Sequence, residues 1–480
     1  MASSDVTTTG GLNRRSLVKL SLAGSLGAGL VASGGLNGRE NGANHYEAII
    51  IGGGFAGVTA GRELSLRGVR TLLLEARTRI GGRTFTAPFD GHNVDMGGTW
   101  FGPGQPYIWS EMTRHGVGLK ESAAASAEEA IWYDNARRVS GSMAQWAALH
   151  EAGTNQFFAP ARGAFPRAHD PLFQADTAGF DQQTAQEVID GLTLSAAERD
   201  LLECFAAING HSVASKSSYL DQLHWAALGG FDIWNLWDSL SRYRADGGTQ
   251  ALLGKIQQES GAELKLGAVV QKVQQNAAGV TVTMRSGEQF TAAQVIVAVP
   301  MNCLNDIEFE PGLSAVKRAA SARRHTGSGT KVYARINSRR PVFLGTGQQE
   351  FPLCFGWTEY DDDDHQVLCG FGAAPAFLDI NDDEAVTAAF KRFAPDIEVT
   401  DVFGYDWNLD PFAKGTWCMY PPGMLTTSLA ELQRSEGAIH FAGSDIANGW
   451  RGFIDGAIET GISSAKQVID YFDKRRGISA

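Results

Sequence analysis

Between Ile51 and Glu75 three glycines stand at the spacing of a phosphate-binding turn, Gly52-x-Gly54-x-x-Gly57. An acid, Glu75, follows about 20 residues on, where a carboxylate holds a ribose hydroxyl. The three glycines act differently. Gly52 permits the tight turn, Gly54 lets backbone reach a pyrophosphate, and Gly57 lets helix and strand pack closely. Ala56 lies in the helix start behind that turn, whose unpaired N–H groups face the phosphates. Ala76 and Arg77 continue the strand end beyond the acid. An acid here suits adenosine without a 2′-phosphate, and the motif alone does not separate FAD from NAD.

Further glycines narrow the choice. Gly81 and Gly82 make a second close backbone approach, and Arg83 with Arg77 can neutralise a pyrophosphate. In the loop Asp95–Pro103, the run Gly97-Gly98-Thr99-Trp100 can pass close to a flat ring. Near the other end, His440 to Gly461 contains Gly443-Ser444-Asp445 and then Gly452-Phe453-Ile454 at a helix start. Such a start, aimed at N1 and the C2 carbonyl of an isoalloxazine, stabilises negative charge on a reduced ring. The two ends together point to FAD and a redox reaction. In that chemistry the cofactor supplies the reactive centre, and no Ser-His-Asp or acid–base pair is required.

These residues need a scaffold. Glu47 to Ile51 reads as a strand, Phe55 to Leu66 as a helix and Thr71 to Leu74 as a second strand, a βαβ unit. Residues 120 to 245 read as mostly helical, with an aromatic-rich stretch from Tyr219 to Tyr243 in which Trp234 is a candidate cavity wall. A helix is expected from Gly248, alternation from Glu263 to Val273 and Val280 to Met284, and a buried strand from Gln294 to Val299 ended by Pro300. Residues 335 to 398 show no clear period. The last helix carries an apolar stripe at Ile454, Ala457, Ile458, Ile462, Ala465, Val468 and Ile469. The expected fold class is α/β, with α+β character in the substrate lobe. A discontinuous, Rossmann-like FAD-binding domain takes 46–120, 248–330 and 412–480, and a discontinuous substrate domain takes 121–247 and 331–411.

A chain of 480 residues with net charge −12 argues against nucleic acid, whose binders carry a basic face. Five cysteines without a C-x-x-C pair, and no His cluster at ligand spacing, leave no expected metal site or disulfide framework. Asp361 to Asp364 reads as a solvated turn, with steering of a cationic substrate as the sharper alternative. Arg14-Arg15 followed by a short apolar run to Ala32 reads as a Tat-type export leader. Residues 1–45 are then leader and linker, and the protein is expected in the periplasm, or in the cytoplasm if the leader is unused. That run is too short for a stable membrane span.

The chain resembles the flavin-containing amine oxidases of the monoamine oxidase type. The matching residues are Gly52 to Glu75, Arg79 to Thr84, Gly97 to Gln105, Lys331, and the C-terminal segments around Gly415 to Gly423 and Phe441 to Ala457. Within that family it looks most similar to the bacterial nicotine and pseudooxynicotine oxidases. The resemblance implies that Lys331 stands at the flavin, that Trp417 and Phe453 form an aromatic cage for the amine, and that Val270 lies beside the adenine. It also implies a small-molecule amine substrate and an imine product that hydrolyses. Electrons then pass to O₂ or a periplasmic carrier, and a homodimer is possible. Two departures matter. Thr416 stands where animal relatives tie FAD to a cysteine, so non-covalent FAD is expected. Phe101-Gly102-Pro103-Gly104 differs from the nicotine-type loop.

An amino-acid oxidase on the same scaffold would need a cavity arginine, for which Arg242 and Arg244 are candidates. A polyamine oxidase would want acids along a tunnel. A desaturase-type flavoprotein, or a non-redox binding protein on the FAD fold, would lack the cage.

Overall fold

A computed structural model describes residues 44–174 and 176–478, so the expected leader lies outside the described residues. At the centre of the first sheet runs His45–Ile51, parallel to Thr71–Leu74 on one side and Gln289–Val297 on the other. Glu263–Lys265 extends the sheet beyond Thr71–Leu74. On the far edge of Gln289–Val297, its first half pairs with Gly279–Met284 and its second half with Ile439–Phe441. Val270–Asn276 and Glu308–Glu310 complete the eight strands. Ile49 and Ile50, on opposite faces of the central strand, are both fully buried, as expected of a parallel sheet covered on both sides.

Helices Phe55–Leu66 and Ile454–Arg476 cross on one face of this sheet. The crossing depends on missing side chains. A Cβ at Gly461 would lie 2.5 Å from the Ala56 carbonyl oxygen, and one at Gly57 only 1.9 Å from that of Gly52. Helix against helix, and helix against turn, therefore meet backbone to backbone.

The second sheet has seven strands, in the order Val399–Gly404, Thr330–Ile336, Gln366–Gly372, Phe355–Asp361, Phe343–Thr346, Glu129–Asp134 and Arg137–Gly141. All neighbours are antiparallel except Phe343–Thr346 with Glu129–Asp134. Period-two alternation sorts its faces. Gly356 and Gly370 turn toward Phe393 and Phe390 beneath, while Phe355, Trp357 and Phe371 turn to the other side. There they meet helices Met143–Phe157, Ala196–Gly210 and Ile233–Ser241. Two of these begin at reciprocal capping boxes, Ser142 with Gln145 and Ser195 with Glu198.

Between 120 and 245 the expected helices lie from Met143 to Ser241, and the structure corrects the helical reading in the residues before them. Glu129–Asp134 and Arg137–Gly141 form a hairpin whose turn residues, Asn135 and Ala136, both have positive φ, 49° and 61°. A primed turn normally advertises itself with Asn-Gly or Asp-Gly; an alanine there carries no such signal. Among the described residues no helix is long and apolar enough to cross a membrane.

Candidate active site

A cavity of about 390 Å³ lies between the two sheets. Its first half is built by the glycine turns. Gly52, Gly54, Ala56, Glu75, Ala76, Arg77, Gly81, Gly82, Arg83 and Val270 all line it. Glu75 is held in place by backbone: its carboxylate accepts from the N–H of Gly53 at 2.7 Å and of Arg77 at 2.8 Å. Gly57 is not on the wall; it lies under the turn, where its lack of a Cβ brings Gly52 into position.

The cavity's fit to a dinucleotide can be read from its glycines and helix ends. A Cβ on Gly54 would find its nearest protein atom 3.8 Å away, and one on Gly443 3.6 Å away, so protein does not crowd the front of either glycine. Helices Phe55–Leu66 and Ile454–Arg476 both start at this cavity, and neither N-cap residue supplies a side-chain cap. Their first N–H groups are available to an anion, the arrangement that suits a pyrophosphate at one end and an electron-rich ring at the other.

The two arginines each have a carboxylate partner. Arg77 pairs with Asp410 at 2.5 Å, and Arg83 with Asp445 at 2.6 Å. Arg83 also donates to the Thr416 carbonyl and the Ser444 hydroxyl, both at 2.9 Å. Gly443 and Ser444 line the cavity, but Asp445 stands behind it, fully buried, where it also accepts from the Met301 N–H. Its contact is with the arginine rather than with the cavity. The Arg83 guanidinium holds its carboxyl below the usual range against the opposing effect of burial.

The second half is aromatic. Trp100, Phe205, Trp225, Trp237, Phe355, Trp357, Phe371, Trp417 and Phe453 face it. Lys331 enters from strand Thr330–Ile336, its Nζ donating to the Asp95 carbonyl and the Thr99 hydroxyl at 2.6 Å and to the Gly97 carbonyl at 3.2 Å. It thus fixes the loop of Gly97, Gly98, Thr99 and Trp100, which also lines the cavity, and lies 4.3 Å from the centre of the Trp100 ring. Burial pushes this lysine below its ordinary value. Gly452, Phe453 and Ile454 line the cavity at the second helix start, with Ile454 beside Gly98.

Trp234, expected on the wall, is not there. Its indole N–H is taken by Glu151 at 2.5 Å and its ring packs against Trp146 and His150. One helical turn on, Trp237 faces the cavity instead, with its N–H on His150 at 2.8 Å. Arg244 is also elsewhere, paired with buried Glu359 at 2.9 Å, and Arg242 makes a half-exposed pair with Asp238 and Glu121. His211, which no sequence motif marked, does line the cavity.

A family model for flavin containing amine oxidoreductase matches residues 55–469. The chain belongs to that family. Pseudooxynicotine dehydrogenase from a Pseudomonas species is 39% identical over 431 residues, 89% of this chain and 86% of that protein. Nicotine dehydrogenase from Pseudomonas putida is 33% identical over 97% of this chain and 99% of that protein. Among solved structures, putrescine oxidase bound to putrescine superimposes with a TM-score of 0.78 at 23% identity, covering 89% of this chain and 99% of that one. Cyclohexylamine oxidase from Brevibacterium oxydans gives 0.77 at 21%, with the same coverage. At these identities the structural likeness shows the fold.

The protein is therefore a flavin-dependent amine oxidase, an enzyme acting on a small-molecule amine.

Proposed function

We propose that this amine oxidase holds FAD non-covalently and oxidises a neutral primary or secondary amine with an aromatic or alkyl body, of the pseudooxynicotine kind. One observation carries the substrate class. The wall's charged side chains Glu75, Arg77, Arg83, Arg285, Asp306 and Lys414 gather around the glycine turns and Val270, while the aromatic half has Lys331 alone among the described residues. A diamine's second ammonium would find no carboxylate there, and an amino acid's carboxylate no arginine. That disfavours the polyamine and amino-acid alternatives. Nine aromatic rings suit an apolar body instead.

Bound FAD supplies the acceptor for two electrons leaving the C–H bond alpha to nitrogen. The chain's residues do the rest. Trp417 and Phe453 hold the amine between their rings, and the surrounding aromatics exclude water. Lys331 disfavours a second cation nearby, so the amine enters having lost its proton to solvent and keeps its lone pair. The amine loses two electrons and two protons to become an imine, which water hydrolyses to a carbonyl compound and an amine or ammonia.

The thiols support non-covalent attachment. Cys418 is fully buried with its Sγ toward the Asp445 carbonyl, and Thr416 occupies the neighbouring wall. Cys303 is the cysteine on the wall, at the nucleotide end, and burial pushes its thiol up to about 12, where little thiolate forms. Heating followed by ultrafiltration should release all yellow colour as FAD; colour retained on the protein would contradict this. A comparison of kcat/KM should favour pseudooxynicotine over putrescine by at least about 100-fold, since an unpaired buried charge is excluded; equal values would remove the substrate reading. The twin-arginine leader supports export with the flavin already in place and O₂ or a periplasmic carrier as oxidant. Fractionation of cells making the full chain tests the location, and turnover under argon tests the need for O₂.

A further inference from the structure

The aromatic cage is only as well defined as whatever holds its walls, and His211 is built to do this. It follows helix Ala196–Gly210 as its C-cap, in the left-handed region at φ 43°. Its imidazole lies flat on the Trp417 indole, with centroids 3.8 Å apart and planes 2° from parallel. Phe371 stands edge-on to both rings. Both nitrogens are engaged. Nε2 faces the Thr330 carbonyl at 3.2 Å; a carbonyl only accepts, so Nε2 carries the hydrogen. Nδ1 then accepts from the Thr416 hydroxyl at 2.7 Å. The far edge of Trp417 is fixed by its N–H on the Asn209 carbonyl at 2.8 Å, two residues before His211.

We infer that His211 is a positioning residue for the oxidation, a neutral plate that sets the angle of the Trp417 wall and ties it to the strand delivering Lys331. The bridge runs from Thr330, next to Lys331, through the imidazole to Thr416, next to Trp417. A role as the base that deprotonates the amine is ruled out by the same contacts, which leave neither nitrogen a free lone pair. Burial agrees, holding the imidazole neutral down to about 3. The inference rests on Trp417 being a cage wall.

Two variants separate plate from backbone. His211→Asn keeps a residue at ease in the left-handed region but removes the flat ring. His211→Phe restores a ring on Trp417 but strains the backbone. With pseudooxynicotine as the amine, anaerobic flavin reduction should slow about 10-fold or more in His211→Asn and stay within about 3-fold of wild type in His211→Phe. Thermal melting should run the other way, with His211→Asn the more stable of the two. Neither variant should shift the pH profile of the reduction rate. Rates that follow the melting order, or a shifted profile in both variants, would overturn the inference. A Trp417→Ala enzyme with a normal rate would instead overturn the cage reading beneath it.

Discussion

A single indole carries the proposed cage. Trp417 is stacked, hydrogen-bonded through its N–H and half-exposed to the cavity, so its removal opens the amine's side of the site without emptying the main core. Trp417→Ala should reduce the rate of anaerobic flavin reduction about 100-fold, the scale of a misplaced reactant, while the bound flavin spectrum stays intact. A loss of less than about 3-fold in stopped-flow would contradict the assignment. At this scale the sequence was informative where backbone geometry dictates residue type. Glu75, Gly54 and Gly443 all reach the cavity, because little besides an acid at the strand end and a glycine at a close approach serves those places. It was weaker where helix phase decides. Trp234 and Trp237 lie one turn apart on the same amphipathic helix, and only tertiary packing on Trp146 and His150 chooses which faces inward. His211 had no signal, since its partners Thr330, Thr416 and Trp417 are more than a hundred residues away in sequence.

At the scale of elements, the helix Ile454–Arg476 serves both the cavity and the core. Its open N-terminus faces the cavity, while Asp455 in its first turn looks the other way, accepting from the Ile108 N–H at 2.9 Å. The second carboxylate oxygen of Asp455 has no hydrogen-bond partner, and burial raises this acid to about 7. The folded protein therefore binds the Asp455 proton between about 4 and 7 while the unfolded chain does not, so this group's stabilisation fades as pH rises through 7. Asp455→Asn removes that dependence. Its melting temperature relative to wild type should rise between pH 5 and pH 8, with a gain of about 2–4 kcal/mol at the upper end. A constant difference across that range would refute it. Elements with an intrinsic signature, such as Phe55–Leu66 and Thr71–Leu74, match the sequence reading residue for residue. The Glu129–Gly141 hairpin escaped it because its turn uses alanine at positive φ, and Phe343–Thr346, Phe355–Asp361 and Gln366–Gly372 escaped because strands covered on both faces lose clean alternation.

Across the whole molecule, acid should be the weak flank. His150, His211 and His224 are held by burial at about 3 and His325 at about 4, against about 6.5 when unfolded. Their neutral forms are built into the interior, so the stability they contribute is complete above about 6.5 and falls as pH drops, where the unfolded chain takes up more protons. Melting temperature should fall steadily from pH 6.5 to 4.5; a flat profile would show that these histidines are free to titrate in place. The larger design is a division of labour between two sheets. One brings glycines and helix ends to the cavity, in the proposed reading for a dinucleotide, and the other brings Phe355, Trp357, Phe371 and Lys331, in that reading for the amine. The most direct test of that division is anaerobic bleaching of the flavin absorbance by pseudooxynicotine and by putrescine in parallel. Rapid, complete bleaching by pseudooxynicotine and little by putrescine is the predicted result. Bleaching by putrescine alone, or by neither amine, would contradict it.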